Sequence, residues 1–520
     1  MKKVLFTLLA GLTVSVQVMA ISATDVCGQF EGLLNIDGSV YNDKTVYLLP
    51  GAVDNAVTFV LPDFTYNSGK LGNIVLPNIP MDANGQLTLE NSTLYVGAIH
   101  ERATITVLNG LEDGGIVYNS ILSEQEAQVL LSIAAPSLPQ PILVLFAGQK
   151  VQDRNYQMPN GGFEGEWTDF EPEGWHSFWS ATGLMVDFIK NNYQFTQAAD
   201  IRPGTTGSHS ALLSSTMALG VKANGNCTNG QINAGSSTAD DPANNYNFSD
   251  PENAGFNTPF HGRPDSIVFW AKYVPADRNA ANEVNRARLS AVITNNARYQ
   301  DPETADFASA KIAEAVINYA AADDLGWQRI AVPFAYSAST DQPAYILTTF
   351  TTNMVPGGGS SYTTGGSLNK VNVLDSVYLD DVEMVYNRDL SAFRIDENTL
   401  SFDKHVAAVA DTYCDDCAAF LAQCDGRSAQ AFVAFDAIHR CIFVYVIADD
   451  YIQSGNYSLY RIDFSDSQTG DLKPIDPTEG VEKVQRDKVQ STKVLRNGML
   501  YIMRGDELFD LNGRKVRMKN

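Results

Sequence analysis

The sequence predicts an all-β chain of several units, and three observations predict it. Residues 25–151 carry short apolar runs at close spacing, at 45–49, 56–61, 73–76, 86–89, 103–107 and 142–146, the rhythm of an antiparallel barrel or sandwich. Turn chemistry falls between these runs: Asn67-Ser68-Gly69, Ala83-Asn84-Gly85 and Asp113-Gly114-Gly115 supply residues that tolerate the tight backbone of a hairpin. A second series of strand-like runs follows at 211–214, 266–273, 287–293, 327–334, 344–351 and 375–386. At 520 residues the chain exceeds one core, and about 100–200 residues per domain gives three or four units.

One helix is expected to interrupt the first series. Ser123-x-x-Glu126 has the form of a capping box, and it would open a helix over 124–133 with Val129, Leu130 and Ile133 as its apolar stripe. The Ala-rich stretch 308–322 has helical composition, but its place before Gly326-Trp327-Gln328 assigns 315–319 to a strand. The second unit, from Glu164 to Asp381, is about twice the ~100 residues of a small sandwich, so it contains insertions. The Asn, Gly, Ser and Asp-rich stretch 224–256 reads as one such loop.

Lys2 and Lys3, the apolar run 4–18 and the small-residue site Val18-Met19-Ala20 form a secretory signal peptide over residues 1–20, so the chain is expected to be exported. Cys27 follows Thr24-Asp25-Val26 rather than a Leu-rich lipobox, which predicts cleavage without a lipid anchor. The apolar stretch 129–148 is broken by Pro136, Pro139 and Pro141, and no membrane span is expected. Sixty acidic against 36 basic residues leave a net charge of -24, which repels a phosphate backbone and excludes nucleic acid as a partner. Neutral glycans are compatible with it.

Cys414, Cys417, Cys424 and Cys441 cluster as C-x2-C-x6-C-x16-C. In an oxidising compartment and without a second C-x2-C pair, local disulfides are favoured over zinc, with connectivity open. Cys27 and Cys227 have no evident partner. Residues 151–158 are a polar linker, and the Pro-containing stretch 465–492 is a second one.

Specific motifs carry resemblances. Val57-Thr-Phe-Val-Leu-Pro-Asp-Phe64 and Gly72-Asn73-Ile74-Val75-Leu76-Pro77-Asn78-Ile79 make residues 25–151 similar to the calycin-like β-barrels of exported Gram-negative gut bacterial proteins. Such barrels often hold an apolar ligand, although a small barrel is equally well filled by its own side chains. Asn160-Gly161-Gly162-Phe163-Glu164, Trp175-His176-Ser177-Phe178, Gly207-Ser-His-Ser-Ala211, Asp265-Ser-Ile-Val-Phe-Trp270 and Tyr378-Leu379-Asp380-Asp381-Val382-Glu383 make residues 159–386 resemble the "putative carbohydrate metabolism domain" family, whose fold is that of jelly-roll carbohydrate-binding modules. The resemblance implies that the first and last strands of one sandwich lie side by side. It extends into a smaller cysteine-bearing β unit at 387–464. Residues 493–520 resemble the C-terminal hairpins that bacteria with type IX secretion use for sorting, which implies surface delivery by that machinery. Arg504-Gly505-Asp506 sits where such a hairpin turns, so the turn explains it better than adhesion does.

All five tryptophans fall between Glu164 and Asp381. Trp175, His176 and Trp179 are the candidate sugar platform, since an aromatic face stacks on the C–H face of a sugar and an imidazole bonds to its hydroxyls. Arg202 and His209 are candidates for the polar rim. Trp270 and Trp327 are expected in the core. The resemblance to carbohydrate-binding modules implies a structural calcium held by Glu164 and Asp381, which would pin the two ends of the sandwich. The carboxylates of Glu164, Glu166, Asp169, Glu171 and Glu173 read as an exposed acidic loop in which nothing singles out a glycosidase pair. No Gly-x-Ser-x-Gly, His-Glu-x-x-His or phosphate loop appears. The expected function is binding of an oligo- or polysaccharide at or outside the cell surface. Glycoside hydrolase and structural or adhesion protein are the alternatives.

Overall fold

The computed structural model describes residues 21–66, 69–96, 101–136, 138–168, 170–192, 194–218, 221–238, 241–275, 286–354, 375–395, 398–400, 408–410, 420–436, 441–464, 491–496, 499–504, 507–509 and 515–516. The expected signal peptide, Cys414, Cys417 and residues 465–490 of the expected linker 465–492 lie outside them, while 491–492 belong to the strand Ser491–Arg496. The described chain is all-β, as its alternation predicts. Its α-helices, Val186–Ile189 and Tyr451–Ser454, are four residues each, and no helix of the described residues is long and apolar enough to cross a membrane.

The first unit is one barrel-like antiparallel sheet. Its spatial order is Gly69–Pro80, Ala56–Tyr66, Ser39–Pro50, Gly28–Ile36, Ile142–Lys150, Glu126–Ala134, Glu101–Val107 and Leu89–Val96, with Ile121–Leu122 also paired to Glu126–Ala134. The interior is an apolar cluster that includes Phe30, Val46, Phe59, Ile74, Ile105 and Phe146. Its own side chains therefore fill it.

The helix expected over 124–133 is a strand. Ser123 Oγ accepts the N–H of Gln125 (3.3 Å) and of Glu126 (2.9 Å), but this turn starts Glu126–Ala134, which pairs with Ile142–Lys150 from Glu126↔Gln149 to Ile133↔Ile142. Ala127, Val129, Leu131 and Ile133 face the barrel core while Leu130 packs with Tyr118 and Leu145 on the other side. A run apolar at consecutive positions satisfies two faces of a sheet, and the ladder outweighs the local capping signal.

The second unit is a two-sheet sandwich. One sheet runs Phe195–Ala198, Ser210–Ser214, Ser376–Val385, Ser266–Val274 and Gln328–Pro333, and the other Asn226–Thr228, Tyr345–Thr351, Ala287–Thr294, Lys311–Tyr319 and Ala335–Tyr336. Phe269, Ala271 and Leu379 of the first sheet meet Leu289, Ala291 and Phe350 of the second in a common core. Lys311–Tyr319 contains the strand expected at 315–319.

The stretch 224–256 is not one loop. It supplies Asn226–Thr228 to the second sheet, and Gln231–Ala234 and Asn245–Ser249 to a small sheet completed by Tyr299–Asp301. Its asparagines bond to one another and to backbone, Asn226 Nδ2 donating to Asn247 Oδ1 (3.0 Å) and Asn229 Nδ2 to Ile346 O (3.1 Å). Bonded in this way, polar residues can be buried in and beside the strands.

The third unit has two small sheets around Leu390, Phe393, Val444 and Ile462. Its strand Cys441–Ile447 is buried at every position. Ile442, Val444 and Val446 face that core, while Cys441, Phe443, Tyr445 and Ile447 face the barrel, packing with its Leu49, Val60 and Val75. No disulfide joins Cys27, Cys227, Cys424 and Cys441, which corrects the expectation for the last two. Cys424 sits on Phe420–Cys424 with its thiol donating to Ala429 O (3.3 Å), while Cys441 lies in a different sheet. Residues 491–516 include a four-stranded antiparallel sheet in which Arg504 pairs with Glu507; Gly505 and Asp506 lie outside the described residues.

Candidate functional site

The site is built where the two ends of the sandwich meet. Val382 N donates to Gly161 O (2.9 Å), and a Cβ on Gly161 would lie 2.1 Å from Val382 O, so only glycine lets the chains approach this closely. Asn160, at φ 47°, fixes the turn by accepting the N–H of Gly165 (2.8 Å) and donating to Glu173 O (2.8 Å). A bulge in the pairing of Ser376–Val385 with Ser266–Val274 places Asp381 at φ 44°.

Glu164 and Asp381 flank this junction: a Cβ on Gly162 would stand 3.3 Å from Asp381 Oδ1 and 3.9 Å from Glu164 Cγ. Each carboxylate already has protein partners. Glu164 accepts from Ser208 N (2.8 Å), Ser208 Oγ (2.9 Å) and His209 N (2.8 Å), with His209 Nδ1 at 3.4 Å. Burial opposes its ionisation, but these bonds outweigh it and hold the carboxyl below its ordinary value. Asp381 Oδ2 pairs with the guanidinium of Arg202, which is buried and lies 5.0 Å over the Trp270 ring. Among the described residues no group of three His, Cys, Asp or Glu could hold a metal ion. This arrangement does not fit the implied calcium, because Arg202 supplies the positive charge.

Beside Asp381, Asp380 is 1 % exposed and its Oδ1 accepts the Asp381 N–H (2.8 Å). Burial, reinforced by the charge of Asp381, pushes its acid up to about 7. The tandem acids thus divide the work: one is ion-paired, the other sealed.

The aromatic candidates separate as well. Trp175 is 0 % exposed, packs against Phe163 (5.2 Å) and Phe350 (6.0 Å), and donates from Nε1 to Asn160 O (3.2 Å). It is a core residue and cannot stack on a sugar. His176 is half-buried, with its backbone bridged to Thr228, its ring 4.7 Å from Phe256 and its Nδ1 3.5 Å from Glu171 Oε2.

Glu171, read from sequence as part of an exposed acidic loop, is buried. Its Oε1 accepts Ser177 N (2.6 Å), Ser177 Oγ (2.7 Å), Ser180 Oγ (3.0 Å) and Ser180 N (3.3 Å), and Ser177 Oγ in turn accepts Trp179 N (3.1 Å). This carboxylate shapes the loop that presents Trp179. Trp179 is 40 % exposed and rests on Phe170 at 3.9 Å between ring centroids, beside Ser177, Lys190 and Gln194. Sequence reasoning missed both supports, because their roles depend on the folded loop.

Trp270 and Trp327 are not core residues. Both are half-buried and lie outside the core cluster, since Ile267, Phe269 and Ala271 alternate inward and turn Trp270 outward. Trp327 Nε1 donates to Asp200 Oδ1 (3.0 Å), and Lys272 bonds Asp200 Oδ2 (2.6 Å) while lying 5.2 Å over Tyr378. This outer face is occupied by its own cation–aromatic contacts.

No protein family matches the sequence, and no curated protein matches it. Among solved structures, a putative glycoside hydrolase from Bacteroides thetaiotaomicron aligns over 65% of this chain and 92% of its own at 14% identity, with TM-score 0.31. A putative glycoside hydrolase from Bacteroides vulgatus aligns over 37% of this chain and 77% of its own at 16% identity, with TM-score 0.26. TmCBM61, solved with beta-1,4-galactotriose, aligns over 44% of this chain and 97% of its own at 12% identity, with TM-score 0.19. These are loose superpositions, and the all-β architecture rests on the strands described above.

Proposed function

We propose that the chain is an exported carbohydrate-binding protein that recognises an oligo- or polysaccharide at or outside the cell surface, as a binding module rather than an enzyme. One observation carries this reading. Trp179 is the exposed tryptophan of the five, and Phe170 backs one face of its ring while the loop around Glu171 fixes its backbone. A rigid, exposed aromatic face suits the C–H face of a pyranose, while Ser177 and Gln194 beside it are buried and serve to hold the loop. Arg202 and His209 act in this proposal as supports of the sandwich ends, bound to Asp381 and Glu164.

The hydrolase alternative gains nothing from Asp380, whose raised acid is sealed from any substrate. Calcium has no part in the reading. Signal peptide and sorting-like tail belong to it as the proposed route to the surface through type IX machinery.

A glycan-binding screen of the full chain tests it, run with and without calcium and following both retained polysaccharide and released reducing ends. Retention without release, insensitive to chelation and reduced about tenfold or more by Trp179→Ala, is expected. Released reducing ends would make the protein a hydrolase. Absence of retention across plant and host glycans would leave the structural role.

A further inference from the structure

The three units meet around a cavity of about 220 Å³ that the surface-site reading does not use. The barrel contributes Gln29 and Tyr47, the linker Arg154 and Tyr156, the sandwich His261 and Arg263, and the third unit Ser428, Gln430 and Asp449. Several of these groups are fixed by bonds that leave a polar atom over.

His261 Nδ1 accepts the N–H of Asn155 (3.2 Å), so its neutral ring carries the proton on Nε2 as a donor. Burial, helped by Arg154, keeps that ring below its ordinary imidazole value and hence neutral. Asp449 Oδ2 accepts Arg263 N (3.0 Å) and its N–H reaches Ser428 Oγ (3.3 Å), leaving Oδ1 as an acceptor. Gln29 Nε2 is spent on Glu31 (3.1 Å), which leaves its carbonyl oxygen. Gln430 is exposed at the edge. Tyr47, half-buried, adds an aromatic wall, while Tyr156 is sealed in the core behind the His261 ring, 6.2 Å from it.

Charge decides the ligand class. Arg154 is paired with Glu31 (3.1 Å) and Arg263 lies against Asp449, so the cavity carries no surplus of either sign for an ion. Its volume is below the roughly 300–1,000 Å³ of sites for drug-sized molecules, enough for one ring. We infer that this junction is a second binding site, for a single neutral hexose-sized sugar. Imidazole N–H, guanidinium and the edge amide of Gln430 donate to its hydroxyls, Asp449 and Gln29 accept from them, and the aromatic wall takes its C–H face. This inference stands independently of the Trp179 surface.

The test is saturation-transfer NMR on the full chain with D-glucose, D-galactose, D-mannose and N-acetyl-D-glucosamine at about 20 mM, roughly twentyfold above a millimolar binding constant, with D-glucuronate as the charged control. At least one neutral sugar is expected to bind and glucuronate is not. Gln430→Ala and His261→Phe are each expected to weaken binding about tenfold, with unchanged thermal unfolding of the sugar-free Gln430→Ala chain showing that it is folded. Transfer that survives Trp179→Ala belongs to the junction, and transfer that vanishes with it overturns the inference. So does transfer from none of the neutral sugars, binding undiminished in both junction variants, or preference for glucuronate.

Discussion

Arg202 and Asp381, 179 positions apart, form an ion pair that ties the loop before Ser210–Ser214 to the bulge in the last strand of the sandwich. Because Arg202 is buried over Trp270, its removal strands Asp381 next to Asp380 without compensation. Breaking one side of a buried pair is expected to destabilise by about 2–4 kcal/mol. All five tryptophans lie in the sandwich, so urea unfolding followed by tryptophan fluorescence reports this unit. Arg202→Met should lower the midpoint, and adding Asp381→Asn should recover much of the loss.

Asp380 makes the sandwich pH-sensitive in a definite direction. Its folded acid stands at about 7 against an ordinary 3.8, so its contribution is fully present below about pH 4 and is lost as pH rises through 7. Asp380→Asn removes that titration and keeps an acceptor for the Asp381 N–H. Relative to the parent, the variant should gain about 1–3 kcal/mol at pH 8 and little at pH 4, read from the same fluorescence transition. A gain that is equal at both pH values would contradict this account.

What the sequence revealed follows the range of the physics involved. Alternation is local, so the strands at 266–274, 345–351 and 376–385 were legible; the meeting of Gly161 with Val382 was implied by the family resemblance alone, and the first strand expected there is a turn. The capping box at Ser123 misled because a local hydrogen bond says nothing of the ladder to Ile142–Lys150. Trp175 and Trp179 are chemically identical four positions apart, and only the fold separates them: Phe163 and Phe350 seal the first, while Glu171 and Phe170 present the second. The asparagines near 226–247 read as loop because their satisfaction comes from each other.

That difference separates two substitutions. Trp175→Ala opens a cavity among Phe163 and Phe350 and should cost about 3–5 kcal/mol. Trp179→Ala removes a ring 40 % exposed, should cost under about 1 kcal/mol, and should act on glycan retention instead. Urea midpoints set beside retention on the polysaccharide found in the screen give both numbers; equal destabilisation by the two variants would refute the assignment of Trp179 to the surface.

The barrel and the third unit are joined through polar contacts inside an apolar interface. Tyr451 Oη donates to Leu48 O (2.7 Å), Tyr445 Oη lies 3.0 Å from Thr58 Oγ1, and Asn78 Nδ2 donates to Asp436 Oδ2 (3.0 Å). Tyr451 is fully buried, so Tyr451→Phe removes its bond to the Leu48 carbonyl across the interface, a loss of about 1 kcal/mol. Phe443→Ala removes apolar packing from the same face and should cost about 3–5 kcal/mol. Hydrogen exchange is the suitable readout because the strand Cys441–Ile447 is buried on both sides. Its amides should exchange faster in both variants, more so in Phe443→Ala, together with those of Ala56–Tyr66 across the interface. If the amides of Ala56–Tyr66 keep their protection when Cys441–Ile447 loses its own, the two units are not stabilising one another.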